Sequence, residues 1–350
     1  MSDNAAFRSI LVPVDGSPLA EAAIPTALAI AERARSKLQL VMVYADSFPP
    51  QPIAPAKQYL EDLARCVRQQ LGDSVSAVLL EGPVGSSLVK HACKTGPDLV
   101  VMTTHGRGGL ERAWLGSVAD QLIRTAGAPM LIVRPRDDGT VPVFEPSEIL
   151  VPLDGSPLAE RALRPAVALA RLWDAEVSLL QIIQPLPPDG EPAWPLPAGY
   201  DTELTRISCE SASEYLSVQA EHLRRTGIRA SGVAMTGTAG VAQTLVEVAT
   251  PTRVGLLAMA THGRGGLRRI VLGSVTDKVV RGAQVPVLVM PAVRAPRHKQ
   301  ERRAANGEEL AQAAGRSSAL SSSSLTSGRA QSSEPHVPST ASKSPVSPAE

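Results

Sequence analysis

Short aliphatic runs alternate with segments of helical length along most of the chain. In the first half, five aliphatic runs predict buried strands: Ser9 to Val14, Leu38 to Tyr44, Val75 to Glu81, Leu99 to Thr103 and Met130 to Val133. Four longer segments between them predict helices: Pro18 to Arg35, Ala56 to Leu71, Gly85 to Thr95 and Ser117 to Ala126. Continuous Val, Ile and Leu runs are typical of strands buried on both faces, and their alternation with helices indicates parallel strands joined by right-handed crossovers. The pattern therefore predicts a doubly wound, five-stranded parallel-sheet α/β domain.

The second half of the chain repeats the first. Its predicted strands lie near Glu148 to Leu153, Val177 to Ile183, Arg229 to Met235, Val254 to Ala260 and Val285 to Met290. The block ILVPVDGSPLAE at Ile10 to Glu21 returns as ILVPLDGSPLAE at Ile149 to Glu160. A second block, THGRGGLERAWLGSVAD at Thr104 to Asp120, returns as THGRGGLRRIVLGSVTD at Thr261 to Asp277, with 13 of 17 positions identical. The repeats predict two tandem domains, copy one at residues 1–138 and copy two at residues 146–293.

Two segments fall outside this repeat. Copy two carries 18 more residues than copy one between the two repeated blocks, and we expect them in the proline-rich stretch Pro185 to Tyr200. Residues 294–350 begin with a basic cluster and continue rich in Ser and Pro. Their apolar surface is too small to offset the entropy of ordering, so we predict a disordered C-terminal tail, with a short helix over Glu301 to Ala314 as the alternative.

The amino-acid composition indicates which kinds of partner, and which cellular compartment, to expect for this protein. Apolar residues make up 43% of the 350 residues and aromatic residues only 3%, so the two cores must be aliphatic. The formal net charge of +1 gives no electrostatic footprint for a nucleic acid. The N-terminal stretch has no signal-peptide pattern and no apolar run approaches a membrane span, so we expect a cytoplasmic protein without membrane contact. Cys66, Cys93 and Cys209 are scattered without zinc-ligand or disulfide-framework spacing, so we predict no metal site.

The repeated blocks fall where a doubly wound sheet binds its ligand. In such sheets the ligand crevice lies outside the carboxyl ends of the strands. Asp15 in copy one and Asp154 in copy two directly follow the first strand of their domain. The fourth strand runs into a glycine loop, residues 104–115 and 261–272, and a helix start follows that resembles a capping box, Ser117 to Asp120 in copy one. We therefore expect the aspartate, the glycine loop and the helix start to share one edge of the sheet.

These residue types suit a nucleotide. A helix N-terminus offers unpaired N–H groups and a partial positive charge, which together attract phosphate. Glycines allow the backbone to approach the anion closely, and Arg107 or Arg264 can add a bidentate cation. A carboxylate at a strand tip can accept hydroxyl protons from a ribose, as the acidic residue of dinucleotide folds does. The residues alone thus predict a sugar at the aspartate and phosphates at the glycine loop.

Both copies resemble the universal stress protein domain. The ATP-binding members of that family carry the motif Gly-x2-Gly-x9-Gly-Ser/Thr. Its second and third glycines match Gly106 and Gly116-Ser117 in copy one, and Gly263 and Gly273-Ser274 in copy two. Its first glycine is replaced by Thr103 and Ala260. The resemblance implies an adenine-nucleotide alpha-hydrolase-like fold in each of the two tandem domains.

The resemblance also implies a set of ligand-binding residues and an assembly. ATP, with or without Mg²⁺, would be held by matching positions in the two copies: Pro13, Asp15, Val43, Gly106, Arg107, Gly116, Ser117 and Val118, and Pro152, Asp154, Ile182, Gly263, Arg264, Gly273, Ser274 and Val275. Members of the family dimerise through the last strand. Here the last strands could pair the two copies within one chain, or pair two chains in a homodimer.

Structural alternatives accompany each assignment. Asp15 and Asp154 could serve only as Asx-turn residues, and the glycine loop could be a connector that needs positive φ. Ser117 and Ser274 are expected to cap their helices. The loop histidines could act as general bases, but no partner acid or nucleophile stands at useful spacing, so a hydrogen bond that fixes the loop is the preferred role.

The sequence is consistent with three hypotheses about function. The first is a non-catalytic, ATP-binding regulator of the stress response. The second is a slow ATPase or nucleotidyl transferase, against which the sequence has neither a GxxxxGK[ST] loop nor an SGGxDS-like loop. The third is a dimerisation module that no longer binds nucleotide.

Overall fold

Helices and strands alternate in the computed structural model, which describes residues 7–45, 52–103, 116–135, 141–185, 200–237, 239–250, 254–261 and 273–292. Copy one contains β1 Ser9–Val14, α1 Pro18–Glu21, α2 Ile24–Ala34, β2 Lys37–Tyr44, α3 Ile53–Leu71, β3 Val75–Glu81, α4 Val84–Thr95, β4 Leu99–Thr103, α5 Ser117–Thr125 and β5 Met130–Val133. Copy two contains β6 Glu148–Pro152, α6 Pro157–Glu160, α7 Leu163–Trp173, β7 Glu176–Ile183, α8 Tyr200–Arg225, β8 Ala230–Thr236, α9 Val241–Val248, β9 Leu256–Ala260, α10 Ser274–Gly282 and β10 Val287–Met290. The predicted tail, residues 294–350, and the alternative helix at Glu301 to Ala314 lie outside the described residues.

The helix predicted over Pro18 to Arg35 is two helices in the structure, α1 and α2. Ser17 caps the first, because its side chain accepts the N–H of Ala20 at 3.1 Å. The second begins just before Pro25, which has no N–H to donate to the carbonyl four residues earlier. It ends at Ala34, and the C-cap residue Arg35 that follows has a left-handed φ of 53°. The single predicted helix was therefore wrong at the proline.

All ten strands form one sheet in the order β3-β2-β1-β4-β5-β10-β9-β6-β7-β8. Pairs within each copy are parallel, and the order of each half is that of a doubly wound domain. The two halves join through β5 and β10, which pair antiparallel with Leu131 opposite Leu288. The last strands therefore join the copies within one chain. Both are interior strands, so neither leaves a free edge for a homodimer formed in the same way.

Two aliphatic layers cover the two faces of the sheet. Successive residues of β1 alternate between them, with Leu11 on one face and Val12 on the other, both almost fully buried. Helices α2, α3, α7 and α8 cover the face of Val12, and α4, α5, α9 and α10 cover the face of Leu11. This burial on both faces is what the continuous aliphatic runs predict. The face of Leu11 is the one on which the candidate site lies.

An aromatic contact joins the two copies on the opposite face. Phe144, in the segment between the copies, packs edge-on against the ring of Trp173, with centroids 5.1 Å apart. The Arg33 guanidinium of copy one lies 4.8 Å from the centroid of the same ring and forms an ion pair with Glu145 at 3.8 Å. Trp173 therefore holds the end of α7 against both α2 and the connecting segment.

The surplus of copy two is not confined to the proline-rich stretch. Helix α8 has 26 residues, whereas its counterpart α3 has 19. Part of the insertion thus lengthens a helix on the face of the sheet to which Val12 points. Most of the stretch Pro185 to Tyr200, where the sequence predicts the surplus, namely residues 186–199, lies outside the described residues.

Candidate functional site

The candidate site of each copy lies where the winding of the sheet reverses. Strands β1 and β4 are parallel neighbours, with Ile10 opposite Leu99 and Leu11 opposite Val100. From β1 the chain proceeds to β2 on one side, whereas β4 leads to β5 on the other side. A crevice opens at such a switch point beyond the carboxyl ends of the strands. Asp15 directly follows β1, and Asp154 lies two residues beyond the end of β6, at the same edge.

Each aspartate forms the turn that the sequence offered as an alternative. Asp15 Oδ1 accepts the backbone N–H of Ser17 at 2.9 Å and its hydroxyl at 2.6 Å. Asp154 Oδ1 accepts the N–H of Ser156 at 2.9 Å. The intervening glycines have a φ of 78°, a left-handed conformation that favours glycine. The turn fixes the carboxylate at the strand tip, and it is compatible with ligand binding because a carboxylate has about four acceptor positions.

The helix starts differ from the prediction. Gly116 and Gly273 are the N-cap residues of α5 and α10, and glycine has no side chain with which to cap. Ser117 and Ser274 occupy the first helical position instead, so the prediction that they cap the helices was wrong. The acid expected to complete the capping box is also engaged elsewhere, because Asp120 pairs with Arg124 at 2.8 Å. The amide groups of the first turn therefore receive no cap from the residue before the helix.

Hydrogen bonds close the base of the copy-two glycine loop. The N–H of Gly273 donates to the carbonyl of Thr261 at 2.9 Å. The buried hydroxyl of Thr276 donates to the carbonyl of Ala260 at 3.0 Å and lies 3.2 Å from that of Thr261. The first turn of α10 is thus tied to the end of β9. Sequence reasoning missed Thr276, although it is one of the few positions at which the repeated blocks differ, with Ala119 in copy one.

The positions that replace the first motif glycine are buried. Thr103 is 4% exposed and Ala260 is 7% exposed, and each is the last residue of its strand. Neither residue interrupts its strand, since Thr103 still pairs with Val133 and Ala260 with Met290. In these two copies the end of the fourth strand is therefore packed against protein atoms.

A cleft of about 660 Å³ opens beside the helix start of copy two. Its walls come from the end of β7, the start of α9 and α10, and its lining residues include Gln184, Gly240, Ala242, Ser274, Val275 and Lys278. This volume falls within the range of about 300 to 1,000 Å³ that is usual for small-molecule sites. Two of the predicted residues, Ser274 and Val275, line the cleft. Pro152 and Asp154 are not among its lining residues.

The structure brings several other predicted residues to one face. Val43 and Val118 in copy one, and Ile182 and Val275 in copy two, are partly buried against the same aliphatic layer. The residues predicted beside adenine and those predicted beside phosphate thus share one side of the sheet. Pro13 lies within β1 opposite Val41. The remaining predicted residues, Gly106, Arg107, Gly263 and Arg264, lie outside the described residues, as do His105 and His262.

Two further observations concern the described part of the chain. None of its groups of His, Cys, Asp and Glu side chains contains three members placed to hold a metal ion. None of its helices is both long enough and apolar enough to cross a membrane.

A sequence profile described as the universal stress protein family matches residues 6–134 and again residues 147–291. The chain belongs to the universal stress protein family. A universal stress protein from Mycobacterium tuberculosis is 29% identical over 305 residues, which cover 81% of this chain and 96% of that protein. A universal stress protein from Mycolicibacterium smegmatis is 27% identical over 316 residues, which cover 83% of this chain and 99% of that one. The similarity to both family members therefore extends across both copies.

Solved structures confirm the fold of this family member. The crystal structure of a universal stress protein from Archaeoglobus fulgidus aligns with a TM-score of 0.58 at 18% identity, covering 81% of this chain and 96% of that one. A functionally unknown protein from Pseudomonas aeruginosa aligns with a TM-score of 0.60 at 19% identity, covering 82% and 94%. At these identities the likeness establishes the shared α/β fold and no more.

Proposed function

We propose that the protein is a non-catalytic regulator of the stress response that binds adenine nucleotide, as ATP with or without Mg²⁺, in its two copies. The observation that carries the proposal is the cleft of copy two, which opens beside a helix start whose N-cap residue has no side chain. Amide groups at such a start attract phosphate, because they lack intrahelical partners and lie at the positive end of the helix dipole. The family motif supports the same assignment, since its Gly-x9-Gly-Ser spacing ends at this residue in each copy.

The proposed binding mode uses groups from three strands or helices. Asp15 and Asp154 would accept hydrogen bonds from the ribose hydroxyls, and Val43 and Ile182 would lie beside the base. The phosphates would contact the first turn of α5 or α10, together with the glycine and arginine residues of the glycine loop. The carboxylate supplies acceptors, the helix start supplies donors, and the apolar side chains supply a surface for the base, so the residue types fit this ligand.

The proposed output is a change of state, not turnover. A bound ligand shifts a conformational equilibrium only if its affinity differs between the two states. ATP would therefore act by favouring one arrangement of the site or one protein partner. We propose that this occurs in the cytoplasm in a single chain, with residues 1–138 and 146–293 as the two nucleotide-binding domains and their joined sheets as an intrachain pseudo-dimer.

Nucleotide release and titration test this function. The purified full chain is denatured, and any released nucleotide is identified by mass spectrometry. ATP is then titrated calorimetrically into the wild type and into Asp15→Ala and Asp154→Ala, with Asp73→Ala as a control on an exposed turn. We expect saturable binding that the first two substitutions weaken and the control does not. Wild-type protein without released nucleotide and without saturable binding would contradict the proposal.

Turnover separates the proposal from its enzyme alternative. Labelled ATP is incubated with the wild type and with a heat-inactivated control, and the product is quantified. The binding proposal predicts equal rates. A rate above the control that Asp15→Ala and Asp154→Ala abolish would establish the slow ATPase or transferase instead.

A further inference from the structure

The two copies differ in the groove between their two site-facing helices. In copy one this groove lies between α4 and α5, and Gly85 faces Gln121 across it. In copy two it lies between α9 and α10, where the matching residues are Ala242 and Lys278. The N-cap and the first two helical residues are the same, Gly-Ser-Val, and the next position is Ala119 in copy one and Thr276 in copy two. The groove and this position are therefore where otherwise similar sites diverge.

In copy one a side chain of the protein occupies this groove. A Cβ atom placed on Gly85 would overlap Gln121 Oε1 and would lie 3.2 Å from Gln121 Cδ. The amide of Gln121 therefore lies directly against the backbone of Gly85, in space that any larger residue would fill. Glycine permits this approach because it has no side chain. The start of α4 and the second turn of α5 are in this way bridged by a neutral group.

In copy two the same region is open and carries a charge. Ala242 supplies the Cβ that Gly85 lacks, and Lys278 is exposed at the wall of the 660 Å³ cleft. Gln184 and Gly240 line the cleft from the opposite side. A cation thus replaces a neutral amide about one turn into α10, close to the helix start at which phosphate would bind. The ammonium and the helix dipole act on an anion in the same sense.

The copy-two helix start is also held more firmly. Thr276 ties the first turn of α10 to the end of β9, and Ala119 has no hydroxyl with which to form the equivalent bond. A site whose donors are already fixed loses less conformational entropy on binding. The open groove, the added cation and the fixed helix start of copy two should all favour the binding of an anion there.

We propose that copy two is the tighter nucleotide site of this chain and that copy one binds the same ligand more weakly. The inference rests on the proposed function, because it assumes that the ligand is a phosphate-bearing nucleotide. A ligand that enters the groove in copy one would have to move the exposed Gln121 side chain away from Gly85, whereas the corresponding cleft in copy two is open. The chain would respond to nucleotide over two concentration ranges, with copy two filling first.

Blocking each copy separately tests the order of affinities. ATP is titrated calorimetrically into the full chain carrying Gly116→Asp or Gly273→Asp, each of which places a carboxylate at one helix start. We expect Gly273→Asp to remove the tight class of sites and Gly116→Asp to leave it intact. Loss of the tight class in Gly116→Asp alone, or equal affinities for both copies, would overturn the inference while leaving the proposed function standing. Absence of any ATP binding by the wild type would overturn both.

Surface substitutions test the stated cause without disturbing the helix start. Lys278→Gln is expected to weaken the tight class about fivefold, the scale of one exposed charge pair. Gln121→Lys is expected to strengthen the weak class by a similar factor, because it removes the amide that contacts Gly85 and adds the cation. Gln69→Lys, exposed on α3 on the other face, adds the same charge and serves as the control. Identical isotherms for the wild type and Lys278→Gln, or an equal effect of Gln69→Lys, would refute the role of Lys278.

Discussion

The Gly273→Asp substitution separates the stability of a helix from its capacity to bind phosphate. Gly273 has φ −56° and ψ 145°, which an aspartate adopts without strain, and it is the N-cap of α10. Aspartate is among the preferred N-cap residues, and at this position it stabilises a helix by about 0.3 kcal/mol more than glycine does. The substitution should therefore leave the free energy of unfolding unchanged or slightly raised.

The same carboxylate should be strongly unfavourable to a bound phosphate. It would accept the amide hydrogens that the phosphate needs, and it would place a negative charge against the anion. Two like charges about 4 Å apart repel by about 4 kcal/mol near a protein surface, which corresponds to roughly a thousandfold loss of affinity. Nucleotide binding and fold stability should thus change in opposite directions.

Urea unfolding and calorimetric titration with ATP measure the two quantities on the same preparation. Gly116→Asp is the matched variant for copy one. The reasoning predicts an unfolding midpoint at or above that of the wild type, together with loss of binding in the substituted copy. A variant that keeps its ATP affinity at that copy, or one that loses binding only because it unfolds, would refute the assignment of this helix start to phosphate.

Four further substitutions at three positions test the packing around the site and the junction. Thr276→Val removes the hydroxyl that ties α10 to β9 and should lower the free energy of unfolding by about 1 kcal/mol. Trp173→Ala should cost about 2 kcal/mol or more at the junction of the copies, whereas Trp173→Phe should cost less, because the indole N–H is buried without a partner among the described residues. Burial, and after it the charge of Lys94, hold the pKa of His91 below its usual range. The unfolded chain therefore binds this proton more readily, and stability should fall with decreasing pH below about 6.5, less steeply in His91→Gln.

Unfolding in denaturant measures the free energy of unfolding of each of these variants. Equal unfolding midpoints for the wild type and Thr276→Val would show that the hydrogen bond from Thr276 to the end of β9 does not contribute to the free energy of unfolding. Equal losses in Trp173→Phe and Trp173→Ala would show that the indole N–H matters more than the ring contacts. For His91 the comparison is the change in unfolding free energy between about pH 7.5 and about pH 5.5, and an identical change in the variant would contradict the expected direction.

Local sequence patterns predict the elements of this fold well, for an identifiable reason. Strands β1, β3, β4 and β5 begin and end as predicted, because each is a continuous aliphatic run bounded by polar or turn residues. The two copies follow from the near-identical blocks. The pairing of β5 with β10 remained one of two alternatives, since the same strand chemistry serves an intrachain or an interchain partner equally well.

The sequence predicts the candidate site less completely, because its details depend on the residue at which each helix begins and on contacts between residues far apart in the sequence. The motif predicts Ser117 and Ser274 as caps, but each is the first residue of its helix, and the glycine before it is the N-cap. Neither the bond from Thr276 to Ala260 nor the contact of Gln121 with Gly85 follows from spacing along the chain. Both join residues that only the tertiary fold brings together, and they are what distinguishes one copy from the other.

The most direct test of the central claim is calorimetric titration of ATP into the wild-type full chain and into the Gly116→Asp, Gly273→Asp double variant. We expect saturable binding by the wild type and none by the double variant, with the double variant at least as stable in urea as the wild type. Wild-type protein that does not bind ATP, or a folded double variant that binds it as the wild type does, would contradict the account.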